Sequence, residues 1–173
     1  LSLRIQVTRG RLASSVLDRV EPLGGEVRAL AWLPPGAAPE TDALLLGAAR
    51  GGGDRRLVLS TEGEDETQVQ VRIVTPESEF APAGFEPVAV PPGATVTVAL
   101  GRLLGSEVAA GMVGLRIDAT APVTSMLRTR TGRSLTHVVA APGLDSDGAA
   151  LLQAGRKRLV LAGSQEVSEV TVL

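Results

Sequence analysis

The chain has 173 residues, a net charge of −2, a pI near 5.5, no Cys and 2% aromatic residues. Its length suits one large domain, or one domain and part of a second, and is enough to remove roughly 70% of the unfolded surface from water. The charge excludes a global pull toward nucleic acid or an acidic membrane, and the lack of Cys excludes disulfides and thiolate metal sites.

In chain order, period-two alternation dominates, which is the mark of half-buried antiparallel strands. Strands are expected near residues 1–7, 12–20, 27–33, 43–48, 56–61, 67–75, 86–91, 95–100, 113–119, 123–130, 136–140, 158–162 and 167–172. Leu3, Ile5 and Val7 share one face of the first. Val69, Val71 and Ile73 share a face of another, as do Val96, Val98 and Leu100, and Leu115, Ile117 and Ala119. The one helical candidate, Gly101 to Ala110, is short and glycine-rich, so it is expected to make no more than a turn or two. No apolar run approaches the roughly 18 residues of a membrane helix.

Short stretches recur. Leu3-Arg4-Ile5 returns as Leu115-Arg116-Ile117, Ser15-Val16-Leu17 is echoed by Ser125-Met126-Leu127, and Arg56-Leu57-Val58-Leu59 returns as Arg158-Leu159-Val160-Leu161. The spacing implies a module of about 100 residues, a usual size for a small sandwich. Residues 43–130 then form a complete module. Residues 1–20 read as the last strands of a preceding module and 157–173 as the first strands of a following one. Residues 21–42 and 131–156 are the connectors. The expected fold is all-β: immunoglobulin-like β-sandwich modules, one complete and two partial. A β-propeller-like repeat is the alternative, although its period is nearer 40–50 residues.

The chain begins inside a strand-like pattern, so it is expected to be a fragment of a longer protein. It has no Asn, a single Lys (Lys157) and three Ile, against many Ala, Gly, Arg and Pro. That bias points to a high-GC bacterial genome.

The order RLVLST, QVQVRIVTP, FEPVAVPPGATVTVAL, GRLLG, GLRIDA and PVTSMLR, with the connector Trp32-Leu33-Pro34-Pro35, resembles the immunoglobulin-like accessory modules of bacterial envelope proteins. More narrowly, it resembles the actinobacterial domain of unknown function 5719 family. The resemblance implies an extracytoplasmic or cell-surface location and supplies no catalytic residues.

His137 is the single histidine. Ser134 and Asp145 are near it in sequence, but no G-x-S-x-G elbow accompanies them, so an ordinary strand histidine is favoured over a triad. Asp145-Ser146-Asp147-Gly148 begins a calcium-loop pattern and lacks the distal Glu. Glu62-Gly63-Glu64-Asp65-Glu66 is expected to be a solvated hairpin tip. Arg156-Lys157-Arg158, and Arg128 with Arg130 and Arg133, are short basic clusters of the kind that guard apolar strands against aggregation. Gly51-Gly52-Gly53 lacks the Lys-Ser or Lys-Thr of a phosphate loop.

Pro91-Pro92-Gly93 reads as scaffold. Two residues without N–H groups stop the pairing, and the glycine turns the chain.

Trp32 is the one residue singled out for ligand or partner contact. It either plugs a connector against the module or offers a stacking surface for a sugar. The expected function is a non-catalytic structural or protein-interaction module of a bacterial cell-envelope protein; the alternative is a glycan-binding module using Trp32 and polar loops. No cofactor or metal is expected. The expected partner is an envelope protein or a glycan. Residues 1–20 and 157–173 are expected to pair with each other, within one chain or across a homodimer.

Overall fold

The computed structural model describes residues 5–21, 29–33, 36–48, 53–102, 111–140 and 160. These residues form ten β-strands and one 3-10 turn. The protein is all-β, and its antiparallel sheets do not close into a barrel.

The longest strand is β9, Gly114–Thr131. Its residues Leu115, Ile117, Val123, Ser125, Leu127 and Thr129, all on one face, are fully or almost fully buried. Each end of β9 has its own partners. Residues 114–119 pair with β5 (Thr67–Val74), and 123–130 pair with β4 (Asp54–Thr61). On its other flank, the first half takes β3 (Glu40–Leu46) and the second takes β10 (Ser134–Val139). Outside these, β7 (Val88–Val90) and β6 (Glu79–Phe80) pair with β5, while β8 (Thr95–Ala99) pairs with β4.

The rows break at one level. Between the β4 and β5 ladders, residues 62–68 stand opposite only residues 120–122 of β9. The Glu62–Glu66 stretch is exposed, but it is no hairpin tip: β4 and β5 run in the same direction, both antiparallel to β9, and the acidic residues carry the chain from one to the other. The Pro91-Pro92-Gly93 corner does the same one row out, taking the chain from β7 beside β5 to β8 beside β4. Gly93 has a φ of 61°, and the Ala94 N–H donates to the Pro91 carbonyl at 3.1 Å. That is a turn with proline and then a positive-φ glycine at its centre.

The break also explains why β9 is one strand where two were expected, at 113–119 and 123–130. Pro122 should end a strand because it cannot donate to a ladder. Here it falls where β4 and β5 leave residues 120–122 outside their ladders and where the β3 register slips between Glu40 and Asp42. A missing N–H costs little there.

Both halves contribute to one aliphatic core: Ala43 and Leu45 from β3, Leu57 and Leu59 from β4, Val69, Val71 and Ile73 from β5, and Leu115, Ile117, Val123 and Leu127 from β9. Val96 and Val98 of β8 pack against it, as do Phe80 and Phe85. Two aromatic rings and many branched aliphatics fill the interior, as the composition requires.

Other expectations are corrected. Residues 5–7 are not strand, and Ile5 and Val7 are exposed. Alternation alone makes no strand without a ladder partner to satisfy its backbone groups. For the same reason the strand expected at 12–20 is shorter: β1 covers only Val16–Val20. The 3-10 turn, Leu100–Arg102, opens the segment expected to be helical; residues 103–110 lie outside the described residues, as do the strands expected at 158–162 and 167–172 apart from Val160.

Candidate functional site: a docked hairpin and its polar clasp

Strands β1 (Val16–Val20) and β2 (Ala29–Leu33) form a separate two-stranded sheet. Its register places Leu17 opposite Trp32, Asp18 opposite Ala31, and Arg19 opposite Leu30. Since side chains alternate, Asp18, Val20, Ala29, Ala31 and Leu33 share one face, and Leu17, Arg19, Leu30 and Trp32 share the other. The first face turns inward: β2 lies against β10, and Ala29 is buried. Small alanines there let the backbones approach.

The β10 surface beneath is the side turned away from the aliphatic core. Thr136 and Val138 pair with Thr129 and Leu127, whereas Leu135 and His137 pair with Arg130 and Arg128. Asp18 reaches down onto this surface. Its Oδ2 accepts a hydrogen bond from Arg128 Nε at 2.8 Å and another from His137 Nε2, also at 2.8 Å. The His137 side chain is only 1% exposed, and its Nδ1 is buried with no hydrogen-bond partner. Burial by itself would raise the Asp18 pKa, but the hydrogen bonds from Arg128 and His137, with the charge of Arg128, outweigh it and hold the carboxyl below its ordinary 3.8.

This geometry limits the chemistry. In a catalytic triad the acid holds one imidazole nitrogen while the other faces a nucleophile. Here Asp18 holds Nε2, and Nδ1 is sealed from solvent. Of the neighbours considered from sequence, Ser134 is exposed at the start of β10, and Asp145 lies outside the described residues. The real partners, Asp18 and Arg128, come from β1 and β9. Asp18 stands more than a hundred residues from His137, so no local spacing could have pointed to it.

Trp32 does not plug the connector. It is 65% exposed, and Leu30 on the same face is 56% exposed. Its neighbour across the ladder is Leu17. The hairpin's carboxylate Asp18 lies on the opposite face, while Arg19 pairs with Glu21 at 3.8 Å.

A second polar cluster lies on the other half of the sheet. Arg116 donates to Asp42 at 2.8 Å and to Glu79 at 3.1 Å, and Glu79 also takes Arg72 at 3.1 Å. Arg72 and Arg116 are direct ladder neighbours. Glu79 on the two-residue strand β6 therefore offsets a like-charge pair, and the network ties β3, β5, β6 and β9 together. Burial disfavours the Arg116 charge, yet its two carboxylates raise its pKa above the ordinary value.

A family of unknown function, DUF5719, matches residues 1–173. The chain belongs to this family. No curated protein and no solved structure matches it. For this DUF5719 chain, the functional reading must rest on the hairpin and the sheet that carries it. Among the described residues no group of three or more His, Cys, Asp or Glu side chains could hold a metal ion. The acidic turn 145–148, the basic run 156–158 and Gly51-Gly52 lie outside the described residues.

Proposed function

We propose that this chain is a non-catalytic protein-interaction module of a bacterial cell-envelope protein, acting outside the cytoplasm, with the outward face of the β1–β2 hairpin as its contact surface. The observation that carries the reading is Trp32 and Leu30 side by side, each more than half exposed, on a strand otherwise docked to the body. Large aromatic residues are enriched at protein interfaces, where they remove much area from water with few rotatable bonds. Their neighbour Leu17 is apolar.

The body reads as an immunoglobulin-like sandwich. Residues of zero exposure on one face of both halves share one core, which a single flat layer would leave open to water. The break through 62–66, 91–94 and 120–122 is then the corner between two layers. The module then takes in the paired strands from β3 at Glu40 to β10 at Val139, wider than the 43–130 expected from the repeat, and the ends supply parts of its neighbours. A homodimer through the terminal strands belongs to the same reading, because the outer edges of β1 and β2 have no ladder partner among the described residues.

Glycan binding is the second reading, favoured by the exposure of Trp32. Sugar sites combine a ring face with polar groups for the hydroxyls. The ladder neighbours of Trp32 favour protein instead.

The test is a photo-crosslinking residue at position 32 in the full-length protein in its native cell, with a control at exposed Thr97 on β8. A protein adduct at 32 and not at 97 supports the interaction module. Retention of the domain by cell-wall glycan, lost with Trp32→Ala, supports the second reading. Fractionation of the protein with the cytoplasm would overturn the envelope assignment.

A further inference from the structure

We propose that the β1–β2 hairpin is held by an acid-sensitive latch, in which protonation of His137 releases the hairpin from the outer face of β9 and β10. The proposal is independent of what Trp32 binds.

The argument starts from hydrogen-bond capacity. An ionised carboxylate only accepts, so the 2.8 Å contact requires the His137 Nε2–H to donate to Asp18 Oδ2. In the neutral ring Nδ1 then carries a lone pair, which is buried and unpartnered. Protonation turns that lone pair into an N–H in the same buried place, with no acceptor. A buried donor left unsatisfied disfavours the state that buries it.

Charge points the same way. Asp18 and Arg128 already balance each other through Oδ2, so an imidazolium leaves one excess positive charge beneath the hairpin. Among the described ladder neighbours, no unpaired carboxylate is left to absorb it. From β9, Arg128 stands directly opposite His137, and Arg130 lies two residues on, opposite Leu135. From β4, Arg56 stands opposite Arg128 and is held by Asp54 at 3.0 Å. From β2, the inward residues Ala29, Ala31 and Leu33 are uncharged. Arg19 and Glu21 bond to each other on the hairpin's far side. The attraction of an imidazolium for Asp18 is shared with Arg128 on a single oxygen. Release of the hairpin opens all three groups to water and removes both penalties.

The chain provides its own reporter, because Trp32 is its one tryptophan and sits on the hairpin. Its fluorescence anisotropy should fall as the pH is lowered from 7.5 to 5. The fall should be absent in His137→Gln, whose amide can donate to Asp18 but does not titrate. In the unaltered protein, NMR of the ring nitrogens gives the protonation state of His137 directly, and amide exchange gives the docking of β1. After correction for the intrinsic pH dependence of amide exchange, protection at Val16–Val20 should fall about tenfold or more as the ring protonates, while protection in β9 stays high. The proposal is overturned if the ring protonates with β1 protection unchanged, or if it stays neutral to pH 5 with the hairpin docked. It is also overturned if His137→Gln releases the hairpin over the same pH range. Should that variant fail to fold, the measurements on the unaltered protein decide alone.

Discussion

The long strand β9 and the hairpin β1–β2 meet at Arg128, yet they are held by different forces. One face of β9 is sealed in an aliphatic core, and both its edges are paired over most of its length. The hairpin has one ladder of its own, small alanines on its inner face, and a clasp in which a single carboxylate oxygen serves two donors. Apolar burial is non-directional and cumulative, so the body should tolerate the loss of any one polar contact. The clasp is directional, so its loss should be felt locally and depend on pH. A cooperative body thus carries a locally detachable surface element, and the exposed Trp32 is on the detachable part.

The sharpest contrast comes from the core. Leu127→Ala removes a side chain of zero exposure from the strand shared by both halves, and should cost about 2–5 kcal/mol through lost burial and a residual cavity. Thermal unfolding should show the whole molecule destabilised, hairpin included. A loss confined to half of the sheet would mean that the two halves do not share one core.

Asp18→Ala should have a smaller and more local effect, about 1–3 kcal/mol on hairpin docking, because it strands the buried His137 and half-buried Arg128 donors. Amide exchange should rise in β1 and β2 and stay unchanged in β4, β5 and β9. If protection falls across the whole sheet, the hairpin is an integral layer and the two regions are not separable.

Acid gives the same contrast through the carboxylate once the His137 titration is removed. The Asp18 pKa is lowered in the folded protein, so the carboxylate contributes stability that is fully present above the unfolded value of 3.8. That contribution is lost as pH falls through the still lower folded value. In His137→Gln, whose hairpin is expected to stay docked to pH 5, hairpin protection followed from pH 5 to pH 2 should decline in that window, and adding Asp18→Asn should remove this component. A rise in protection on acidification would reverse the sign and refute the assignment.

The smallest expected effect on stability is at the exposed surface. Trp32→Ala should change the melting free energy by under about 0.5 kcal/mol, because the side chain is 65% exposed. Any large effect would belong to binding. A destabilisation comparable to Leu127→Ala would show that Trp32 is a packing residue after all.

Several elements were legible in the sequence because their signals are local. The rows Val69-Val71-Ile73 and Leu115-Ile117 lie on the buried face, and Val96 and Val98 pack against the same core. The Pro91-Pro92-Gly93 corner stops and turns the chain as its residue types require. Where the reading failed, the outcome depended on remote partners. Leu3, Ile5 and Val7 alternate as strand residues do, yet residues 5–7 find no ladder. Pro122 carries a break signal, yet its neighbours pause where it falls, and β9 runs through. The candidate site was split in the same way. Trp32 was visible as the single tryptophan, but its exposure was not, and the role of His137 was hidden.

The sequence by itself determined the all-β class, the aliphatic character of the core and the Pro91-Pro92-Gly93 turn, since each follows from side-chain period, branching and backbone freedom within a few residues. Tertiary structure alone decided that β4 and β5 are successive partners of one long strand, that the acidic stretch 62–66 is a crossing, and that Asp18, Arg128 and His137 meet. Period-two alternation tells each residue which face it occupies, and it is silent on which strand lies alongside. Pairing is chosen by the burial and backbone satisfaction of the whole sheet at once.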